Sequence, residues 1–519
     1  MSHNDTASGW SPFAPVGVLF MEPADSALRK VLAAAHDLIV RYPELVERVD
    51  ADLDAHGRTK KAMRVADARW QARRAQPLPG LDRDTDPVDA SSLELLAGRP
   101  RTPAYAVLMA LLVRGYQGEG FKARDTRTLQ TESITLRTMF ANIGVRHPRP
   151  GTLTELVNAV SIDTRERVLT AQVAYALELQ LDDFETMIAD STHVRANTAW
   201  PTDSGLMVAL AERLLRIGAS LDEVGLCAID VPRATSNVDT MRQIDREIGL
   251  SHGKRGQARP RRRRYAKIIS RSSKVQTLLA GPIAAAQRTL DALDMAPSRR
   301  ALAQRAVTQL ATDLDALSTA TDNAHARVID GHSVPMSGKI LSVSDPDAGY
   351  IAKGQREAVI GYKPNVARSR NGFVTSLILP LGNAADSAQL IDLTDDTTQR
   401  TGIKLSVVSV DDGYASAANL AALTEDREID VVAINGSKGR KLTTDSDWDS
   451  TEHAAARSLR SAVESLMYTL KQSFTFDEVA RRGLTAVHAE LLEKVLAHNL
   501  CNLVRTRHRQ QRQQPPIAA

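Results

Sequence analysis

The sequence predicts a mixed α/β core that is interrupted by a helical insertion and preceded by a mainly α-helical region. Apolar residues recur at helical spacing through the first ~180 residues. Short β-branched runs bounded by turn residues appear near position 184 and again between 334 and 435. Between these two β regions lies a polar stretch of helical sequence that Pro282 and Pro297 interrupt.

Length and composition describe a multidomain protein of ordinary polarity. A chain of 519 residues is too long for one compact core, so we expect about two to four domains. No run of about 18 apolar residues occurs, and the first residues do not have the pattern of a secretory signal. Cys227 and Cys501 are isolated, as is usual in a reducing compartment. We therefore expect a cytoplasmic protein without membrane association.

The N-terminal helical prediction rests on three segments with helical periodicity, 27–42, 104–116 and 164–180. A Pro/Asp/Gly-rich connector at 77–89 predicts a linker between a first helical region, 1–76, and a second, 90–182. Within the second region, residues 151–177 have the outline of a helix–turn–helix, with Asp163 as the expected cap. This outline makes DNA binding one option for the second region, although two packed helices have the same appearance.

The first core strand is predicted at 184–190, with Asp190 at its end. A helix is expected to begin at Ser204, after the cap candidates Thr202 and Asp203. Asn371–Gly372 is a strong signal for a hairpin between two later strands. The later strands are predicted in five runs: 339–344, 356–367, 371–381, 403–410 and 429–435. A long helix is then expected from Thr451.

These elements divide the rest of the chain into four parts. Residues 183–232 form the first part of the core, 233–330 a basic helical insertion, 331–503 the second part of the core and 504–519 a basic disordered tail.

Charge is concentrated locally, although the net charge is only +4. From Ser251 to Lys274 there are ten Lys or Arg residues and no acid, centred on Arg261, Arg262, Arg263 and Arg264. After Glu493 the chain contains no acid. Acid-free basic segments attract nucleic acid by releasing counterions from its phosphates. The alternatives for these two segments are a solvated loop and a frayed tail.

Three carboxylates have the positions expected of metal ligands. Asp190 and Asp411 each end a predicted strand, and side chains at strand ends gather at one edge of an α/β sheet. Glu464 has Arg460 four residues before it and Lys471 seven after it, which places all three within roughly 40° on one helix face. Hard carboxylate oxygens suit Mg²⁺ or Mn²⁺. Taken singly, each aspartate is explained equally well as a turn former, and the glutamate as half of a surface ion pair.

Several motifs resemble those of bacterial insertion-sequence DDE transposases. D-S-T-H-V-R-A-N (190–197) is similar to the first-aspartate region, and G-N-A-A-D-S (382–387) also resembles a segment of these proteins. V-D-D-G-Y-A-S (410–416) resembles the second-aspartate motif, in which the first Asp is the ligand, so Asp411 rather than Asp412 is implied. R-S-A-V-E-S-L-M-Y-T-L-K (460–471) fits the signature Y-x2-R-x3-E-x6-K. The resemblance covers about 183–232 and 331–503.

The sequence differs from these motifs at two positions. Arg457 stands at the tyrosine position of the signature, and Asp412 stands where a basic residue is usual.

The resemblance implies an RNase H-like core in which Asp190, Asp411 and Glu464 hold two Mg²⁺ or Mn²⁺ ions. Arg460 and Lys471, with Arg457 in place of the tyrosine, would contact DNA phosphates. Water would free a 3′-hydroxyl, and that hydroxyl would attack target DNA. The partners implied are double-stranded DNA at element ends and target, and further copies of the chain in a homodimer or larger assembly at the nucleoid. The alternatives are a related nuclease without strand transfer and a non-catalytic, transposase-derived DNA-binding protein.

Overall fold

The computed structural model describes residues 27–75, 101–115, 141, 149–251, 256, 258–335, 338–352 and 358–513. The chain forms two compact units. Unit 1 comprises Met1–His56, Pro100–Asn197 and Asp347–Ala519; unit 2 comprises Gly57–Arg99 and Thr198–Pro346. The predicted linker at 77–89 lies outside the described residues.

The described residues of the N-terminal region are mainly helical, as the periodicity predicted. Its helices are α1 (Ala27–Arg41), α2 (Glu44–Ala75), α3 (Ala104–Arg114), α4 (Pro150–Ala159) and α5 (Ile162–Glu178). The predicted cap of α5 was wrong: the Ser161 hydroxyl accepts the Thr164 N–H at 3.1 Å, whereas Asp163 lies in the first turn and pairs with Arg48 at 3.0 Å. Serine suits this position because its extended backbone turns the hydroxyl back toward the free N–H groups of the helix.

Helix α5 is mostly enclosed within unit 1. Gln172 donates to the Leu496 carbonyl at 2.9 Å, and Arg165, which is 1% exposed, pairs with Glu493 at 2.8 Å. A helix that enters a DNA groove needs an open face. The helix–turn–helix interpretation of 151–177 stays a prediction, and this burial does not support it.

Unit 1 is built on a five-stranded mixed sheet and a smaller sheet of three strands. The strands are β1 (Thr186–Ser191), β2 (Val194–Arg195), β3 (Gly349–Ile351), β4 (Val359–Tyr362), β5 (Asn365–Arg368), β6 (Val374–Ile378), β7 (Val407–Asp411) and β8 (Val431–Asn435). The large sheet has the order β6-β5-β1-β7-β8, in which β5 is antiparallel to β1 and β6, whereas β7 is parallel to β1 and β8. The predicted mixed α/β class is confirmed.

The predicted hairpin at Asn371–Gly372 is also present, between β5 and β6. Gly372 has φ +91°, a conformation that glycine adopts without steric cost, and the Ser369 N–H donates to the Phe373 carbonyl at 2.8 Å.

Residues 339–344 do not form the predicted strand. Their polar groups are satisfied in another way: the Ser342 hydroxyl lies 2.7 Å from that of Thr198 and accepts the Asp345 N–H, while Arg213 donates to the Val343 carbonyl. Ile340 and Val343 pack against the core of unit 2. The β-branched residues that predicted a strand are therefore buried as a connecting segment.

The smaller sheet, β2-β4-β3, was not predicted. Its strands are too short for a clear alternation of apolar and polar residues. Gly361 on β4 is essential to it, because a Cβ there would lie 1.9 Å from the Val194 carbonyl oxygen.

Besides residues 57–75 of α2, the described part of unit 2 includes four long helices around a core of its own. They are α6 (Asp203–Asp222), α7 (Val231–Leu250), α8 (Ala258–Thr289) and α9 (Pro297–Ala324). Thr202 caps α6 by accepting the Gly205 N–H at 3.0 Å, as its sequence predicted. Helix α6, which the sequence placed in the first part of the α/β core, packs instead in this helical unit.

The remaining helices of unit 1 surround the large sheet. They are α10 (Leu390–Thr401), α11 (Ala417–Ala421), α12 (Ser437–Leu442), α13 (Asp445–Trp448), α14 (Thr451–Ser458), α15 (Arg460–Phe474) and α16 (Leu484–Gln513). The single helix predicted from Thr451 is thus two helices, because a turn at Leu459 tightens the backbone: Leu459 donates to Ala456, and Ala462 donates to Leu459. Helix α16 continues to Gln513, past position 504 where a disordered tail was predicted.

The two faces of the large sheet are covered by different helices. Met187, Ala189, Val408 and Val410 pack with α10 in one apolar cluster. Successive side chains of a strand point to opposite faces, so Asp190 and Asp411 belong to the other face. On that face α15 contacts β1 and β7, and α14 contacts β7 and β8. No described helix of the chain is long and apolar enough to cross a membrane.

Candidate active site

Asp190 and Asp411 lie at the ends of two neighbouring parallel strands. Thr186 is level with Val407, and Ile188 is level with Ser409. Two residues further along this register, Asp190 is level with Asp411. Paired strands lie about 4.8 Å apart, and both residues belong to the same face of the sheet. The structure therefore brings together the two aspartates that the sequence predicted.

The carboxylates of Asp190 and Asp411 both lie close to Tyr414. Its hydroxyl is fully buried and donates to Asn365 Oδ1 at 2.7 Å. Burial raises the pKa of Tyr414 well above its ordinary value, and the negative charges of Asp386, Asp190 and Asp411 raise it further. Asp190 itself is 8% exposed, and its Oδ1 accepts the Ser191 N–H at 2.7 Å.

Asp411 and Asp412 have different structural roles. Asp411 Oδ1 accepts the Gly413 N–H at 2.9 Å. The Asp412 carboxylate accepts the N–H groups of Lys438 and Gly439, each at 2.9 Å, and the Ser437 hydroxyl at 3.3 Å. Burial opposes ionisation of Asp412, but these hydrogen bonds prevail and lower its pKa.

The Asp412 carboxylate therefore binds the first turn of α12. The family resemblance predicts a basic residue at position 412. Gly436 makes this contact possible. It has φ +127°, and a Cβ at this position would lie 2.3 Å from Asp412 Cγ. Any side chain at 436 would displace the Asp412 carboxylate.

Glu464 lies on α15, the helix that packs against β1 and β7. Its side chain is 60% exposed and pairs with Arg460 at 3.3 Å, as their spacing of four residues predicted. Lys471 lies in the last turn of the same helix. Among the described residues, no group of three or more His, Cys, Asp or Glu side chains has the arrangement of a metal site. Glu464 is therefore on a helix that contacts both aspartate-bearing strands, but the three carboxylates do not form a closed ligand set.

The donor set nevertheless fits a hard divalent cation. Asp190, Asp411 and Glu464 supply only carboxylate oxygens, which Mg²⁺ and Mn²⁺ prefer. The exposed side chain of Glu464 also leaves room for water and substrate oxygens. These residues fit the ions that the sequence predicted, although the ligand geometry is not formed.

Arg457 lies on α14, in a different helix from Arg460 and Glu464. Its guanidinium stacks on the Trp448 ring at 3.9 Å and donates to the Trp448 carbonyl at 2.6 Å. These contacts fix the position of Arg457 within unit 1. A role in phosphate binding stays a prediction for this residue.

Residues 258–274 of the basic block form the first turns of α8 in unit 2. Arg262 donates to the Ile329 carbonyl at 2.7 Å, Arg264 pairs with Glu247 at 3.3 Å, and Arg261 lies over the Tyr265 ring. Arg263 is exposed. Three of the four arginines at 261–264 thus make contacts within unit 2.

Sequence reasoning missed Asp386 and Lys363. Lys363 Nζ lies 2.8 Å from Asp386 Oδ1, and both side chains are nearly buried. The signal was present, since Asp386 belongs to the G-N-A-A-D-S segment, but nothing in the sequence placed that segment beside Asp411.

Carboxylates at adjacent strand ends, with a third on a helix over the same sheet, define a candidate metal-dependent site for phosphoryl transfer. Residues 324–500 match the transposase DDE domain family. Over this range the chain is similar to a transposase DDE domain, and the predicted resemblance to insertion-sequence DDE transposases is confirmed. Neither a curated protein nor a solved structure matches the chain.

The family match supports a transposase function in general and implies DNA as the partner. Proteins of this family generally use divalent metal ions. The matched range includes Asp411 and Glu464, whereas Asp190 lies outside it.

Proposed function

We propose that the chain is a DNA transposase that cleaves DNA at the ends of a mobile element and joins those ends to target DNA. The observation that carries this proposal is the position of Asp190 and Asp411, level on parallel strands of the sheet that α15 covers. We further propose that the large sheet is the centre of an RNase H-like core.

Asp190, Asp411 and Glu464 would hold two Mg²⁺ or Mn²⁺ ions. A bound pair of such ions activates the attacking oxygen and stabilises the leaving oxygen of an in-line phosphoryl displacement. Arg460 and Lys471 would contact the DNA backbone beside the scissile phosphate, since both belong to the helix that carries Glu464. The exposure of Glu464 gives DNA access to this helix.

The test is metal-dependent cleavage by variants of the full chain. Asp190→Asn, Asp411→Asn and Glu464→Gln should each reduce nicking of element-end DNA by at least about 10²-fold, because each removes one charged ligand. Binding to the same DNA in a mobility-shift assay should persist. Asp412→Asn is the matched control, since an amide oxygen still accepts the N–H groups of α12.

Cleavage at the normal rate in the Asp190→Asn variant would refute the assignment of Asp190. Strand transfer needs a separate assay with precut ends and target DNA. Products of hydrolysis without joined products would identify a nuclease.

A non-catalytic, transposase-derived DNA-binding protein is the second candidate. One observation favours it: the described carboxylates do not form a closed group of three. This candidate predicts DNA binding by the wild-type chain without Mg²⁺- or Mn²⁺-dependent nicking. Cleavage that is lost in Asp411→Asn would exclude it.

We propose double-stranded DNA as the partner and a homodimer or larger assembly as the state on DNA. The basic segment Ser251–Lys274 supports the first part, because its ten cations without an acid attract phosphate. Light scattering of the protein with and without element-end DNA tests the second.

A further inference from the structure

Asp411 is the last residue of β7, and a buried ion pair lies against the turn that follows it. Asp386 is 9% exposed and belongs to a short 3₁₀ turn, Asp386–Ala388. Lys363 comes from the connection between β4 and β5, and its Nζ lies 2.8 Å from Asp386 Oδ1. The same ammonium group donates to the Ala384 carbonyl at 3.1 Å. Lys363 thus compensates the charge of Asp386 and holds the chain just before it.

Gly413 brings Asp386 close to Asp411. A Cβ at Gly413 would lie 2.8 Å from Asp386 Oδ2 and 2.9 Å from Asp411 Oδ1. The two oxygens therefore lie within about 6 Å of each other, a separation at which like charges repel appreciably. Without the ammonium group of Lys363, two carboxylates this close would disfavour the ionised form of both.

Asn419 connects the turn at Asp386 to the turn after Asp411 by hydrogen bonds. Its side-chain amide donates to the Ser387 carbonyl at 2.7 Å and to the Tyr414 carbonyl at 3.2 Å. One residue therefore ties the segment after Asp386 to the segment after Asp411. A change at Asp386 is expected to alter the position of the Asp411 turn.

We infer that the Asp386–Lys363 pair positions Asp411 for binding a divalent ion. This inference rests on the proposed function, in which Asp411 is a metal ligand. Asp386 is a positioning residue here, because Lys363 occupies one of its oxygens and the other faces Gly413. Groups that orient metal ligands change metal affinity by about 10–100-fold when they are removed.

The experiment compares Asp386→Asn with Asp392→Asn in the full chain. Asp392 lies six residues further along and is exposed, so the control removes the same charge from the same segment. Binding of Mn²⁺ is measured by electron paramagnetic resonance without DNA, and nicking of element-end DNA is measured over a range of Mg²⁺ concentrations.

We expect Asp386→Asn to weaken Mn²⁺ binding by about 10-fold or more and to raise the Mg²⁺ concentration for half-maximal nicking similarly. Excess Mg²⁺ should restore most of the cleavage, whereas a purely structural loss would not respond to metal. Asp392→Asn should behave as the wild type in both assays.

Circular dichroism establishes whether Asp386→Asn folds. If it does not fold, the double variant Lys363→Gln/Asp386→Asn is titrated with Mn²⁺ in its place. The double variant removes both charges and so leaves no unpaired buried ion. Equal Mn²⁺ affinity in the folded Asp386 variant and the Asp392→Asn control would overturn the inference. Absence of Mn²⁺ binding and nicking in the wild type would instead overturn the proposed function, and the inference with it.

Discussion

His498 is a buried histidine on α16 that remains neutral in the folded chain. Its Nε2 lies 3.1 Å from the Gly372 carbonyl, and its ring meets Phe474 edge to face. Burial lowers the pKa of His498 to about 4, and the positive charges of Arg505 and Arg368 also lower it, against the opposing hydrogen bond to Gly372. Nε2 is the protonated nitrogen in this arrangement, since a carbonyl only accepts.

This histidine predicts a loss of stability in mild acid. In the unfolded chain the imidazole has its ordinary pKa of about 6.5, so between pH 6.5 and about 4 the unfolded state binds a proton that the folded state does not. The free energy of unfolding should therefore fall as the pH drops through this window, by up to about 3 kcal/mol from this residue. In His498→Gln, which keeps an N–H for the Gly372 carbonyl, this part of the pH dependence should disappear.

Urea denaturation at several pH values measures the effect. His508→Gln is the control, because His508 lies on the same helix and is exposed. A pH profile of the His498 variant that coincides with the wild-type profile would show that the pKa of His498 is the same in the folded and unfolded states.

The aspartates at 411 and 412 show how far sequence alone reaches at the scale of single residues. The motif and the strand pattern placed Asp411 at the end of β7, where the structure has it. The role of Asp412 depends on Gly436 and on backbone N–H groups of α12, about 25 residues away, so no local pattern reveals it. Asp386 and Lys363 are likewise far apart in sequence, and only the folding of the sheet brings them together.

At the scale of elements, α8 presents a cationic face to solvent. Arg259, Arg263, Lys267 and Lys274 are exposed. Their spacings of four, four and seven residues place them on one side of the helix, over a length of about 20 Å. This exposed set, rather than the four consecutive arginines at 261–264, is the surface that we expect to contact DNA.

The triple variant Arg263→Gln/Lys267→Gln/Lys274→Gln tests this face. Each lost phosphate contact should reduce the slope of log K against log salt by about 0.9, so the slope should fall by up to about 2.7. The control is Arg216→Gln/Arg299→Gln/Arg305→Gln, which removes three exposed cations from α6 and α9, two other helices of unit 2. Equal slopes for the two triple variants would show that binding depends on net charge and not on this face.

Element boundaries were less predictable than element types. The run at 339–344 has strand composition but packs against helices, since burial of apolar side chains does not require strand pairing. The break at Leu459 changes only the hydrogen-bond register, and no proline or glycine marks it. Strands β1 and β8 were predicted because each is an apolar run with a clear end.

At the scale of the whole molecule, two apolar clusters among the described residues have separate membership. One includes Leu310 and the helices of unit 2; the other includes Leu393 and the large sheet of unit 1. Within unit 1, Arg195 on β2 and Gly349 on β3 both pair with Gly361 on β4. The residues that flank the inserted segment 198–346 therefore lie about 10 Å apart, which is two strand spacings. Because its two ends are held this close together, the insertion does not disrupt the smaller sheet.

Separate cores predict two transitions when the full chain unfolds. Leu310→Ala and Leu393→Ala remove the same atoms from fully buried positions, each at a cost of about 2–5 kcal/mol. In scanning calorimetry we expect each variant to lower one transition by several degrees and to leave the other in place. The Leu393 variant should also lose metal-dependent cleavage as its transition is approached, because the proposed ligands belong to unit 1. If both variants lower a single common transition by similar amounts, the two units unfold as one cooperative structure.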